Sequence, residues 1–415
     1  MTNARKKLRL LSLILVTVML LGLFAACGKS SEGQDKTPEP TQSPDTPETP
    51  ETPDVPERQT IKIGIATCFT GSGARGAETQ LYGLQLALDQ INSSGYSKYY
   101  DFELIQGDDQ YDATEAVAVA NKLVYQDGVK AVFGHLNAVV TLAGLGVYEE
   151  AKVPCFTPSG SSEKIVNSGY EYVYLCVPQD RIIAASLMNY LVNDLGLTKL
   201  GILYCNNDQG QSGLEFCKTA LADLDMEFVD EQAYLATDND FTGQMLSMKG
   251  SDVEVLVIWG GEVSQRSIMV QQARQLIGTD VIISGDANFS NATFISVTTP
   301  EEREGIIYPV AWSPAFTDER SATYVEEFKA KDPLEQTPGA VTVRFYDGMW
   351  LLATALNNMG PYDVDAEDFT IKLNEAIKQS SYEGLQGTLT PAPNGECLDK
   401  CYIVHYTLEG EELIK

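Results

Sequence analysis

The sequence predicts an α/β protein built as two doubly wound parallel-sheet lobes joined by a three-stranded hinge. Three observations lead there. Apolar strand-like runs alternate with stretches of helical periodicity from residue 61 onward, the same alternation restarts after residue 177, and the C-terminal part breaks the rhythm with three helical stretches followed by two short extended runs.

The chain opens with Arg5, Lys6, Lys7 and Arg9, followed by an uncharged apolar run to Ala26, the pattern of a secretory signal over residues 1–26. The run is short and one-sided for a membrane span, which disfavours the alternative of an uncleaved signal anchor. Leu23-Phe24-Ala25-Ala26-Cys27-Gly28 places small residues before a cysteine, as in a bacterial lipoprotein cleavage site, with Phe24 where an aliphatic residue is usual. Cys27 is therefore expected to be the lipidated N-terminus of the mature chain.

Residues 27–58 hold few large apolar side chains and repeat Thr-Pro-Glu around Pro47, Pro50 and Pro53. Such a segment cannot bury enough surface to fold, so it is expected to be a disordered, extended tether. At roughly 3 Å per residue, about twenty residues of this kind hold a domain some 60 Å from a surface.

The net charge is −29, and removal of residues 1–26 with their four positive charges takes it to −33. A chain so acidic is repelled by nucleic-acid backbones and by anionic headgroups, so no nucleic-acid partner is expected and membrane contact is expected through lipid alone. Cys68, Cys155, Cys176 and Cys205 stand in or beside apolar runs, where cysteine acts as a small hydrophobe. Cys397 and Cys401 lie close together in a loop-rich stretch; they read as a small disulfide or as a reduced pair.

In the folded part, 61–67, 102–106, 130–133 and 153–157 read as strands, separated by helical patterns at 78–92, 113–125 and 139–150. After an extended run at 172–177, a helix from Ile182, a strand at 199–205, a helix from Ser212, a strand at 254–259, a helix at 263–276 and a strand at 281–284 repeat the theme. Helical patterns at 321–330, 342–357 and 369–377 then precede extended runs at 384–389 and 402–407. The expected division is 59–179 with 311–386 for the first lobe and 180–310 with 387–415 for the second. In open parallel sheets ligands sit beyond the carboxyl ends of the strands, so the cleft between two such lobes is the expected site.

Several motifs compete for chemistry. Gly71-Ser72-Gly73-Ala74-Arg75-Gly76 matches G-x-G-x-x-G between a strand and a helix, with Asp108 and Asp109 closing the next strand. Export to a compartment poor in nicotinamide cofactors, and an acid further on than the usual spacing, argue against a dinucleotide and for a glycine loop that lets backbone approach a ligand. Ser161-Ser162-Glu163-Lys164 fits the S-x-x-K signature of serine acyltransferases, but neither S-D-N nor K-T-G occurs. His135 and His405 are the only histidines, too few for a multi-histidine metal site, and neither metal nor cofactor is expected. His135 reads first as a hydrogen-bonded strand-end residue.

What remains is a set of small polar residues at strand ends. Asn137 and Ser159-Gly160-Ser161 offer an amide, hydroxyls and backbone N–H groups suited to a carboxylate. Trp259-Gly260-Gly261-Glu262 and Gly285-Asp286-Ala287-Asn288 each deliver an acid suited to an ammonium, against the plainer reading of solvated loop acids.

The chain resembles the leucine/isoleucine/valine-binding protein family from about Thr60 to its C-terminus. The resemblance is carried by Thr70-Gly71-Ser72-Gly73, Gln106-Gly107-Asp108-Asp109, the stretch from Ala116 to Leu123, Phe133-Gly134-His135-Leu136, Thr157-Pro158-Ser159, Gly260-Gly261 and Gln272-Ala273-Arg274. It implies a periplasmic-binding-protein-like type I fold and no catalysis. It further implies a carboxylate held by Asn137, Ala138, Ser159 and Ser161 and an ammonium held by Asp286, and Ser72, Gly160, Gln209 and Glu262 join them as expected ligand-binding residues. Ala138 replaces a serine frequent in the family, Glu262 replaces an aromatic after the glycine pair, and the aromatic usual near Gln209-Gly210 is missing. A more polar and more negative pocket than one for leucine is thereby implied, favouring a polar or cationic ligand.

The resemblance also implies an ABC permease and ATPase as partners of a monomer on the extracellular face of the membrane, with hinge crossings at 177–180, 308–313 and 385–388. A ligand-sensing subunit that signals to a membrane receptor shares this fold and is the alternative, with an extracellular enzyme behind it.

Overall fold

The computed structural model of the protein describes residues 58–71, 73–158, 163–334 and 336–415. The expected leader, Cys27 and the tether up to residue 57 lie outside the described residues, as do Ser72, Ser159, Gly160 and Ser161.

Strand β1 (Gln59–Thr67) runs parallel to β2 (Tyr100–Asp108) in register from Gln59 opposite Tyr100 to Thr67 opposite Asp108. On its other side it pairs with β3 (Ala131–Gly134), followed by β4 (Cys155–Thr157) and β5 (Val173–Leu175). The order β2-β1-β3-β4-β5 is entirely parallel. The crossover helix Ala74–Ser94 buries Ala77, Leu81, Leu84, Leu88 and Ile91, one apolar face at helical spacing, and stops at Gly95 in left-handed geometry. Helix Ala113–Asn121 begins where the Asp112 side chain accepts from the Thr114 and Glu115 amides.

The second sheet repeats this order. Strands β6 (Leu200–Cys205), β7 (Asp230–Tyr234), β8 (Val255–Trp259), β9 (Ile282–Gly285) and β10 (Ile307–Val310) stand as β7-β6-β8-β9-β10. The short hairpin of β11 (Tyr382–Gly384) and β12 (Gly387–Leu389) stands apart, and β13 (Tyr402–Thr407) and β14 (Gly410–Leu413) extend the second sheet antiparallel beyond β10. Both lobes thus share one strand order, with the topological switch between the first and third strand of each. Helix Ala340–Met359 returns to the first lobe and packs along Ala74–Ser94.

Three elements escaped the sequence patterns for identifiable reasons. Strand β7 is an edge strand in which buried and exposed positions alternate through polar residues, and β10 contains Pro309, which suits an extended crossing as well as a strand. The run 384–389 is a hairpin because the buried Asp347 carboxylate accepts from the Leu385 and Gln386 amides and turns the chain there.

The third hinge crossing also differs from the expected 385–388. After β12 the chain remains on the first sheet: the Leu175 amide donates to Gly395 and the Cys397 amide donates to Leu175. The crossing falls between Cys397 and Tyr402, so 387–397 belongs beside β5 rather than with the second lobe. This placement separates Cys397 from Cys401 in chemistry as well. Both are free thiols; Cys397 is buried, its thiol donates to the Gly395 carbonyl and it lies beside the Cys176 thiol, whereas Cys401 hydrogen-bonds to Ser186 and lies near Arg344. The reduced reading of this pair is the one the structure shows.

Candidate ligand-binding cleft

The loops that leave the carboxyl ends of β1 and β3 build one wall. Asp108 fixes the glycine loop: its carboxylate accepts from the Phe69 amide at 2.9 Å, the Thr70 hydroxyl at 2.6 Å and the Gln110 amide at 3.1 Å. The acid that a dinucleotide ribose would need is thus engaged by its own loop. Asp109 is equally committed, with one oxygen 2.6 Å from His135 Nδ1 and the other accepting from the Tyr111 amide. The second ring nitrogen of His135 lies 3.2 Å from the Tyr148 hydroxyl. His135 and Asp109 are buried, so this is a structural network beneath the cleft wall.

Asn137 caps helix Ala138–Glu150 by accepting from the Val140 amide at 2.9 Å. Helix geometry leaves the amides of Ala138 and Val139 without intrahelical partners at this end. Asn137 therefore contributes through the helix start it creates. Pro158, at the edge of the expected 159–161 turn, has its carbonyl bonded to Arg344 Nη1 at 3.0 Å.

In the second lobe Asn207 caps helix Asp208–Ala222, and both Asp208 and Gln209 are exposed. Asp208 forms an ion pair with Lys164 of the first lobe, which brings the loop after β6 to the helix that follows β4. A second link joins Arg181, at the start of helix Asp180–Asn189, to Glu163 at 3.3 Å and to Glu396. After β8, Gly260 and Gly261 adopt φ of 73° and 75°, the left-handed region that glycine enters without strain. They carry the chain to Glu262, exposed at the start of helix Val263–Leu276.

Asp286 departs from expectation. Its carboxylate accepts from the Gly260 amide at 2.8 Å, the Asn288 amide at 2.9 Å and Arg266 Nη2 at 2.8 Å. Arg266 is fully buried, donates also to the Gly260 carbonyl, and stacks on Phe289 with 4.9 Å to the ring centroid. The negative charge expected to meet a ligand ammonium is met inside the lobe instead. Glu262 and Asp208 are exposed acids on this wall, and Asp208 is paired with Lys164.

Two charged residues set into the first lobe were not singled out from sequence, Arg344 and Asp347. The signal was available, since they are the only charged residues in the apolar helix Ala340–Met359. Arg344 is partly covered beside Pro158, and burial pulls its pKa down to about 10. Asp347 is buried among the Leu385 and Gln386 donors, and burial pushes its pKa up to about 6. Among the described residues, no group of three or more His, Cys, Asp or Glu side chains is arranged to hold a metal.

Two facing α/β lobes, with polar loops at the carboxyl ends of both sheets, define a solute-binding protein of the hinged, two-lobed class. Residues 60–410 match the family described as periplasmic binding protein, and the chain belongs to that family. It is 26% identical over 332 residues to the leucine-, isoleucine-, valine-, threonine- and alanine-binding protein of Pseudomonas aeruginosa, covering 80% of this chain and 85% of that one. It is 23% identical to the Leu/Ile/Val-binding protein of Escherichia coli K12, covering 81% and 88%. Among solved structures, the branched-chain amino acid transporter substrate binding protein LivJ of Streptococcus pneumoniae, in complex with isoleucine, superposes with a TM-score of 0.71 at 24% identity, covering 86% of this chain and 99% of that one. A leucine binding protein, LivK, of Thermotoga maritima gives 0.71 at 20%, covering 86% and 98%. These structures establish the periplasmic-binding-protein-like type I fold.

Proposed function

We propose that this protein is the extracellular, lipid-anchored binding subunit of an ABC uptake transporter, capturing an α-amino acid or a related small polar molecule between its lobes. The observation that carries the reading is the meeting of the two sets of strand-end loops, marked by the Lys164–Asp208 ion pair. A molecule held between them touches both lobes and so binds the closed form better than the open one, which shifts the population toward closure. The closed form is the state a permease and its ATPase would receive.

In this reading the start of helix Ala138–Glu150, with its Asn137 cap, and the 159–161 turn hold the ligand carboxylate, aided by Ser72. Glu262 and the exposed Gln209 face it from the second lobe. Asp286 shapes the wall through Gly260. Cys27 supplies the membrane attachment and residues 28–58 the tether. The transport family supports this role over catalysis.

A thermal-shift screen of the full chain against the common amino acids, short peptides, polyamines, amides and urea tests it. A ligand at about 100 times its dissociation constant adds about 2.7 kcal/mol to the native state and raises the melting temperature by several degrees. A shift with an α-amino acid is expected. Shifts confined to polyamines, amides or urea would overturn the assignment of carboxylate and ammonium sites, and turnover of a bound compound would overturn the binding role.

A further inference from the structure

Among the arginines of the described structure, Arg344 makes the fewest hydrogen bonds. A guanidinium carries five N–H donors, and Arg344 uses one of them, from Nη1 to the Pro158 carbonyl at 3.0 Å. Its Nε is buried with no partner, and among the described residues no carboxylate lies within ion-pair distance. Arg274 and Arg303 also lack carboxylate partners but are each surrounded by two or more carbonyls, and Arg303 lies over the Tyr406 ring as well. Asp347, one turn further along the same helix, does not compensate Arg344, because its oxygens are taken by Leu385 and by Gln386. A charge withdrawn from water without a counter-ion is costly, and such a cost is tolerated where a ligand supplies the counter-ion.

The position of Arg344 suits that purpose. It is only partly covered, and its Nη1 holds the carbonyl of Pro158, just beyond the carboxyl end of β4, where strand-end loops of the first lobe gather. The β4 end of the first sheet therefore carries a cation. The segments flanking it carry three fully buried oxygens without partners among the described residues: Thr157 Oγ1, Gln179 Oε1 and Gln386 Oε1. They can accept from ligand or water donors. The opposite wall offers no compensated site for a second positive charge at Asp286, which Arg266 already neutralises.

We propose that Arg344 receives an anionic group of the ligand, so that the cleft takes an acidic amino acid or a dicarboxylate in preference to a branched aliphatic one. This rests on the reading of the cleft as an amino-acid site. A leucine-like side chain would leave the guanidinium without a counter-ion, whereas a carboxylate would accept from the free Nη donors, a bond between charged groups.

The test is isothermal titration of the full chain with L-glutamate, L-aspartate, L-glutamine, L-asparagine, L-leucine and glutarate. The acidic member of each acid–amide pair is expected to bind about tenfold or more tightly than its amide, as one charge-assisted bond provides. Arg344→Gln should erase that preference by weakening the acids about tenfold more than the amides. Equal or tighter binding of leucine or the amides, or acid binding unchanged in Arg344→Gln, would overturn the inference and leave Arg344 as a clamp on the Pro158 carbonyl. Should Arg344→Gln not fold, the acid–amide preference of the unaltered chain decides alone. Binding of glutarate with no amino acid bound would uphold the anion site and overturn the amino-acid reading; no binding of any probe would overturn both.

Discussion

Arg266 holds Asp286 at 2.8 Å inside the second lobe, where Arg266 has no exposed surface and Asp286 has 5%. The pair gives the acid at the β9 strand end a counter-ion before any ligand arrives. Desolvation makes such a pair a weak stabiliser overall, but removal of one partner strands the other. Asp286→Ala is therefore expected to lower stability by about 3–5 kcal/mol, with Arg266→Met plus Asp286→Ala recovering most of that loss. Urea unfolding of the two single variants and the double variant measures the coupling. Additive losses would show that the two side chains act independently.

Asp347 makes stability depend on pH. Burial raises its pKa from the ordinary 3.8 to about 6, so the folded protein holds the proton more tightly than the unfolded chain does. Its contribution is present in full below about pH 4 and is lost as pH rises through 6, a difference of about 3 kcal/mol. Asp347→Asn should remove this decline between pH 4 and 6. The measurement is the pH dependence of the urea midpoint in both proteins; parallel curves would refute the assignment.

Gly213 lies where an added Cβ would fall 2.0 Å from the Trp259 indole. Helix Asp208–Ala222, which presents Asp208 to the cleft, packs on β8 through that contact. Gly213→Ala should cost about 1–3 kcal/mol or more, because the buried indole has no room to retreat. It should also weaken ligand binding by shifting the loop after β6. A melting temperature within a degree of the parent would count against this packing account.

The cysteines provide a check on the anchor. Of the eight, seven lie among the described residues and all seven are free. Protein isolated from membranes and denatured should titrate seven thiols, with the peptide beginning at Cys27 carrying a lipid mass increment. Eight thiols would remove the lipid attachment, and five would restore a disulfide.

The strands of both sheets that lie in continuous apolar runs, such as 254–259, were legible because burial on both faces demands apolar residues at every position. The loops at their ends were legible as well, so Asn137, Glu262 and Asp286 were found at the correct strand ends. The roles of these residues were less accessible. Nothing near Asp286 in the chain signals its counter-ion, because Arg266 stands twenty residues away on the preceding helix and meets it only when β8 and β9 pair.

By itself the sequence determined the two-fold repetition of strands and helices, the surface of each helix that is buried, and the end of each sheet at which polar loops gather. These follow from local periodicity, which the backbone reads a few residues at a time. Only the tertiary structure decided which charges are neutralised and which are left open: Asp286 paired with Arg266, Asp347 engaged by the β11–β12 hairpin, Arg344 without a carboxylate partner among the described residues. Charge pairing depends on distances between segments remote in sequence, and packing alone sets those distances.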